Sequence, residues 1–382
     1  MSRRQDPLRT REPDVVVSWP QICGWRLAQQ RVTHPASDPL EVAAVLGGVQ
    51  SQVTSSAEFA LGLRTTTAVE EFAAALWEQR TLVKTWAMRG TLHWLPAAEF
   101  PLWVAALRTR EWRLTAGWEK YHGVTAAQLH AITEAIPAAL AQRQLTREEL
   151  SEHLVEVTGS PEVAEQLRSG WGAVLKPAAN QGLLCFGPDQ GRNVTFVRPQ
   201  DWLGEIGPEP EPQEGLRVVL HRFLDAYGPA TAKDFARWFG VPDKPARDLL
   251  LHHADDLVVA SADGTAGWVT PQGAESLAAA DPAEGVVLLG GFDPYVLAPI
   301  SHRDILIPEG HLADVSRTAG WISAVVLADG CVVGTWTADG ASVDVAPFVS
   351  LTGEVRAGLE RRVTELAGRL LPQDAQLSTT GS

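Results

Sequence analysis

Glu214-Gly215-Leu216-Arg217-Val218-Val219-Leu220-His221-Arg222-Phe223-Leu224-Asp225-Ala226-Tyr227, with the Gly228-Pro229-Ala230-Thr231 that follows, opens the stretch that decides the fold of this 382-residue chain. It reads as a helix stopped by Gly228-Pro229. A short second helix is expected from Thr231 to Phe239, then the turn Gly240-Val241-Pro242-Asp243 and a helix to about Asp255. Two strand-like runs, Leu257-Val258-Val259-Ala260 and Trp268-Val269-Thr270, close around Asp263-Gly264, the dipeptide of a tight hairpin turn. Helix, turn, helix, then hairpin is the order of a winged helix.

The same order of elements recurs upstream, as a repeated pattern of elements without a sequence repeat. Helical patterns run from Thr125 to Arg143, from Thr146 to Val157 behind a Thr146-x-x-Glu149 capping box, and from Pro161 to Gln181. Leu183–Phe186 and Val194–Val197 then bracket a Gly- and Asp-rich turn. Earlier still, Ser18-Trp19-Pro20 opens a helix, further helices flank residues 47–55 and span Ala68–Gln79, and Leu82–Trp86 pairs with Thr91–Leu95. The reading is therefore α+β and mainly helical: three tandem winged-helix units, a small C-terminal β subdomain and a final helix. Its boundaries are a flexible arm 1–17, units at 18–105, 106–203 and 214–275 with a linker at 204–213, the β subdomain 280–345, the helix 346–371 and a disordered tail 372–382.

Composition narrows the function. No apolar run is long enough for a membrane span, and the Arg-rich start lacks a secretory core, so a cytoplasmic protein that makes no membrane contact is expected. Cys23, Cys185 and Cys331 are widely separated and show no ligand spacing, so neither a disulfide framework, a metal nor a cofactor is expected. A monomer is expected as well. The formal charge of −14 argues against a surface that binds polyanions everywhere. Arg108, Arg110 and Arg113, set among Trp103, Trp112 and Trp118, nevertheless suit phosphate and stacking contacts; the plainer reading is a solvated helix with its Trp residues turned inward.

Gly47-Gly48-Val49-Gln50-Ser51-Gln52-Val53-Thr54-Ser55 interrupts two apolar helical runs. Gly47-Gly48 should end the first helix, and Ser55-x-x-Glu58 reads as a capping box starting the next at about Ser56. If the connection is extended, residues i and i+2 point to one side, so both amides aim at one point. Spacing alone favours solvated or backbone-bound glutamines.

Gly48-Val49-Gln50-Ser51-Gln52, Met88-Arg89-Gly90-Thr91-Leu92-His93, Tyr227-Gly228-Pro229-Ala230-Thr231, Leu289-Gly290-Gly291-Phe292-Asp293-Pro294-Tyr295 and Asp329-Gly330-Cys331-Val332-Val333-Gly334-Thr335-Trp336 together resemble the AlkZ/YcaQ family of bacterial DNA glycosylases. The resemblance spans residues 48 to 336 in the expected order. It implies a curved DNA-binding body of tandem winged helices, a Gln-x-Gln motif that holds the catalytic water, and a β-hairpin that engages the duplex. Gln50 and Gln52 are then the catalytic pair. The family's middle position is usually apolar or aromatic, whereas Ser51 stands here. The implied partner is double-stranded DNA carrying N7- or N3-alkylated purines, including bulky adducts and interstrand crosslinks.

The chemistry is coherent. Amides are poor general bases near neutrality, but a cationic alkylated purine is already a good leaving group, so what remains is to position water beneath the anomeric carbon. A monofunctional glycosylase is expected, with no Schiff-base lysine; none of the five lysines lies in the glutamine segment. Arg89 at its turn reads as a phosphate contact or a solvated arginine, and His93 as a residue near the lesion or one half-buried beside Trp94. Asp293 either supports the site or satisfies the backbone of its Asp-Pro turn. Tyr295, His302 and Arg303 follow Asp293 on a candidate for the DNA-engaging hairpin, and Trp336 reads as core. Two rival functions are a noncatalytic winged-helix transcription regulator, which leaves the glutamines without a role, and an acidic scaffold that does not bind nucleic acid.

Overall fold

The structure, a computed structural model, describes residues 8, 10–110, 115–159, 161, 164, 167 and 172–378. Its contacts divide the chain into two compact units, one formed by the residues up to Phe72 together with those from Leu220 onward, the other by Ala73–Val219. Helices and predominantly antiparallel sheets make the chain α+β, as expected. Among the described residues, no helix is long and apolar enough to cross a membrane.

In the first unit, local signals start most helices where the sequence places them. Ser18 caps Trp19–Gln29 in a reciprocal box with Gln21, and Thr231 does the same with Asp234 for Ala232–Phe239. Asp243–His252 follows, then strands Val258–Ala262 and Thr265–Val269, joined through Asp263 and Gly264, both at positive φ as a tight hairpin turn requires. Phe223, Tyr227, Phe235, Trp238 and Phe239 pack ring against ring beneath these helices.

The arm is not free along its whole length. Val15–Val16 pairs in parallel with Ala260–Ser261, and the Asp14 carboxylate accepts from Val259 N at 2.9 Å. The free edge of the Val258–Ala262 strand supplies unpaired backbone groups that the arm satisfies, a reason invisible in the Arg-rich composition.

The C-terminal part of this unit is a five-stranded sheet in the order Val286–Leu289, Val325–Ala328, Cys331–Asp339, Ser342–Pro347, Gln376–Leu377. Leu288, Leu289, Val326 and Leu327 of its strands belong to one apolar core with Leu27 and Leu63 and with Leu359, Val363 and Leu366 of the final helix, Gly353–Leu366. Two expectations fail here. The apolar run after Leu289 leaves the sheet, because Asp293 caps and Pro294 starts a short helix, Pro294–Leu297. The tail after Pro372 is ordered through residue 378: Gln376 and Leu377 pair in parallel with Ser342 and Val343, covering a sheet edge.

The second unit carries the hairpin of Leu82–Trp86 and Leu92–Pro96 and the helix Phe100–Arg108. Thr125 and Thr146 cap Ala126–Ala139 and Arg147–Thr158 through boxes with Gln128 and Glu149. Strand Gln144–Thr146, Asn193–Val197 and Cys185–Gln190 form an antiparallel sheet in that order. Leu129, Ile132, Ile136, Leu150, Leu154 and Leu184 fill its core around Trp86, which meets Phe186 edge-on at 4.7 Å.

Truncating the chain after Pro372 is expected to lower the unfolding free energy by about 1–2 kcal/mol, since it exposes the buried Ala375, the half-buried Leu377 and the sheet edge they cover. Urea unfolding of the full and shortened chains checks this; equal midpoints would show that the terminal strand contributes nothing.

Candidate active site

The glutamine segment starts as strand and bends at Gln52 and Val53. Helix Pro39–Val45 ends at Gly47 and Gly48, with φ of 68° and 98°, whose N–H groups return to Ala44 O at 3.1 Å and Ala43 O at 2.8 Å. Val49–Gln50 is strand, and Val53 keeps extended backbone angles before helix Thr54–Arg64 begins. Burial alternates with a period of two: Val49 and Ser51 are buried, Gln50 is half-buried and Gln52 exposed. Gln50 and Gln52 are therefore the more exposed residues of the segment. The helix starts at Thr54, ahead of the expected capping box, and Val53 at its N-cap makes no side-chain cap. Packing of Val53 against the apolar core replaces the Ser55/Glu58 signal.

Each end of this segment is tied down by a buried polar group. Upstream, the Tyr227 hydroxyl donates to Leu46 O at 2.8 Å, just before the double glycine. Tyr227 belongs to a turn gripped by the first helix: Arg26 Nε donates to Gly228 O at 2.9 Å, its Nη2 to Pro229 O at 3.2 Å, and Gln30 Nε2 to Ala226 O at 3.0 Å. Arg26 Nη2 also meets His302 Nδ1 at 2.6 Å. Burial, then the neighbouring Arg26 charge, pushes the His302 pKa down to about 2, so the ring is neutral and Nδ1 is the acceptor.

Downstream, the helix that leaves Gln52 ends in Arg64. Its Nη1 and Nη2 donate to Asp293 Oδ2 at 2.9 Å and Oδ1 at 2.8 Å, and both side chains have no exposed surface. Asp293 Oδ1 also accepts from Tyr295 N at 3.0 Å, so the carboxylate both caps a helix and pairs the arginine. A Cβ on the preceding Gly290 would lie 2.8 Å from the Phe59 ring, which shows how closely this loop lies on the glutamine helix. Phe59 in turn meets Trp336 at 5.5 Å, and Trp336 Nε1 donates to Leu289 O at 2.9 Å, so Trp336 is core, as its type suggests. Ser51 is buried, and its hydroxyl has no hydrogen-bond partner among the described residues.

Several expected DNA contacts are corrected by burial. Tyr295 and His302 are 1% and 2% exposed, lie on short helical turns and are occupied inside the unit; Tyr295 OH donates to Gly330 O at 2.8 Å. Arg303, half-buried on the turn Arg303–Leu306, donates to Leu297 O at 3.3 Å. None of the three lies on a hairpin. Prolines 294 and 299 and the Asp293 cap turn an apolar, strand-like run into helical turns.

In the second unit, His93 is also buried, and burial first, then Arg89, pushes its pKa down to about 3. The neutral ring's Nδ1–H donates to Thr91 O at 3.0 Å, so His93 carries no charge for phosphate. Arg89 sits at the hairpin turn with φ of 57°. Arg110 donates to Ala87 O at 2.9 Å, with its pKa lowered to about 10 by burial, and so remains protonated. Lys176, which the sequence did not single out, has its pKa lowered by burial and then by the charge of Arg110, and its Nζ lies within 3.6 Å of a Cβ built on Gly90. Arg89, Arg110 and Lys176 thus come together around Gly90. Arg108 is apart from them, exposed and paired with Glu209 at 2.7 Å. Arg113 lies outside the described residues.

Residues 43–369 match the family model described as DNA glycosylase AlkZ-like. The chain is 40% identical over 338 residues, 87% of its length and 91% of the relative's, to the interstrand DNA cross-link repair glycosylase of Streptomyces sahachiroi. It is also similar to the solved structure of the Streptomyces sahachiroi DNA glycosylase AlkZ, with a TM-score of 0.88 and 35% identity over 95% of this chain and 100% of that one. Fold and matches define a DNA glycosylase, a hydrolase of N-glycosidic bonds. The chain belongs to the AlkZ-like family of these enzymes.

Asp293→Ala is expected to cost about 3–5 kcal/mol of stability, because it strands the fully buried Arg64 charge. Arg64→Met/Asp293→Leu should recover part of that loss, and denaturant unfolding of both variants distinguishes a lone buried charge from a lost cap.

His93 gives a pH prediction. Its folded pKa is depressed below that of the unfolded chain, so the neutral-ring contribution is complete above about pH 6.5 and is lost as pH falls toward about 3. His93→Gln should make unfolding free energy fall less steeply with acid in that window, by about 1.4 kcal/mol per pH unit. Urea titrations at pH 4, 5 and 7 read the slope.

Proposed function

We propose that the chain is a monofunctional glycosylase that removes cationic N7- or N3-alkylated purines from double-stranded DNA, with Gln50 and Gln52 holding the attacking water. The single observation that carries this reading is the alternation of burial from Val49 to Gln52, which leaves Gln50 and Gln52 more exposed than Val49 and Ser51 on a backbone tied at Leu46 and Arg64. Two amide oxygens accept the hydrogens of one water and aim it at the anomeric carbon, and their partial negative charge stabilises the developing oxocarbenium cation. The leaving purine is already positive, so no strong base is required. Ser51 faces inward and supports the segment without reaching the substrate.

The relative's crosslink-repair name extends the proposal to interstrand crosslinks; bulky adducts, and a role in DNA repair or in self-resistance of a producing bacterium, belong to the same reading. The DNA-binding body is read as three tandem winged helices. The helix pairs followed by hairpins at Ala232–Val269 and Ala126–Val197, each with a third strand on its hairpin, support two of them. The remaining one rests on the order of elements alone, helices Trp19–Gln29, Pro39–Val45 and Thr54–Arg64 followed in sequence by the hairpin Leu82–Pro96. Strands Cys331–Asp339 and Ser342–Pro347 supply the duplex-engaging hairpin: residues 337–340 at its tip are exposed, and its base is braced on the glutamine helix through Trp336 and Phe59. Arg89 and Arg110, joined by Lys176, are positioned for phosphate. The enzyme acts as a cytoplasmic monomer without cofactor or metal. A noncatalytic regulator is not favoured, since the similar proteins are glycosylases and the glutamines would have no role.

Release of free base from a duplex carrying 7-methylguanine tests the reaction. Gln50→Ala and Gln52→Ala should each slow single-turnover excision by about 100-fold or more while leaving thermal unfolding and duplex affinity close to native. Native excision rates in both variants would remove the pair from the mechanism.

A further inference from the structure

Trp321 leaves 48% of its surface exposed, unusual for an indole in a unit whose other aromatic rings are mostly buried. The side chain sits on an ordered turn. Trp321 N donates to Thr318 O at 3.4 Å, its carbonyl accepts from Arg317 N at 2.8 Å, and the next residue, Ile322, accepts from Phe292 N at 3.3 Å. Its ring meets Phe292 at 5.0 Å and 71°, an edge-on contact that braces one side and leaves the rest of the indole to solvent.

Phe292 holds that position at φ of 59°, a left-handed conformation that non-glycine residues rarely adopt. The turn it makes delivers Asp293 to Arg64 and places the ring against Trp321. Next to it, a Cβ on Gly291 would lie 3.5 Å from Ser56 Oγ, and Ser56 is four residues beyond Gln52 at the start of the same helix. The loop that carries Trp321's ring partner thus lies against the first turn of the helix that follows Gln52, with Phe292 buried between that loop and the indole.

We propose that Trp321, backed edge-on by Phe292, stacks on a flat aromatic ring of the lesion: the alkylated purine itself or an aromatic group attached to it. The inference rests on the glutamine pair being the hydrolytic centre. It adds a ring-binding subsite beside that centre. A cationic purine is drawn to the indole face by charge as well as by stacking. Hydrolysis returns the purine to a neutral base and removes the charge component, so the subsite holds substrate more tightly than product. Free-standing surface tryptophans need no explanation, but one braced by a phenylalanine in a rare backbone conformation, next to the site, is a built surface.

The test uses the full chain with Trp321→Ala and Trp321→Phe, measuring Kd and single-turnover excision on three duplexes: unmodified, 7-methylguanine, and guanine with a planar aromatic N7 adduct. Trp321→Ala should weaken lesion-duplex binding about tenfold while changing unmodified-duplex affinity by less than about twofold, and Trp321→Phe should restore most of the loss. A loss on both lesions identifies the purine as the ring, and a loss confined to the adduct identifies the adduct. An equal loss on unmodified DNA, or no loss at all, overturns the proposal. If the native chain releases no base, the glycosylase reading of the glutamines fails on its own, while the Kd comparison still judges Trp321.

Discussion

The bidentate pair between Arg64 and Asp293 is the constraint on which the candidate site depends. Both charges are fully buried, a situation tolerated only when geometry and further hydrogen bonds offset desolvation. Asp293 meets that condition by accepting from two guanidinium nitrogens and the Tyr295 amide, and Arg64 also donates to Ala60 O at 3.0 Å. The pair joins the end of the glutamine helix to the loop that leaves the first strand of the five-stranded sheet. Fixing that helix fixes the backbone direction in which it leaves Gln52.

A second anchor works on the other side. Arg26 and Gln30 occupy the carbonyls around Gly228-Pro229, and Tyr227 from the same turn reaches Leu46. Burial lowers the Arg26 pKa, and the neutral His302 ring accepts one of its hydrogens. The glutamine segment is therefore held from two directions by buried polar contacts, while its own more exposed side chains are uncharged. That division of labour suits a reaction in which the substrate brings the charge and the protein supplies position: amides gain their effect from preorganisation, which requires an immobile backbone beneath them.

Much of the local architecture was legible in the sequence. The reciprocal caps at Thr125, Thr146 and Thr231 start helices where predicted, and Asp263-Gly264 adopts the positive φ values of a tight hairpin turn. The break at Gly47-Gly48 and the alternating burial from Val49 to Gln52 were also readable, because both follow from interactions within a few residues. The failures share a cause. Ser55 and Glu58 form a valid local capping pattern, yet the core contact of Val53 starts the helix earlier. Tyr295, His302 and His93 have the chemistry of DNA contacts, but they are enclosed by other segments and satisfied inside the protein.

The sequence by itself determined most of the helices and hairpins and the break at Gln50-Ser51-Gln52 between two helices, since propensity, capping and side-chain period act over short distances. Tertiary structure alone decided which polar groups are buried and which face out. Arg64 and Asp293 are 229 residues apart, and Tyr227 and Leu46 are 181 apart; no spacing rule connects them. Their pairing arises because unrelated segments exclude water from the same place, where a charge or hydroxyl must find whatever partner the fold supplies.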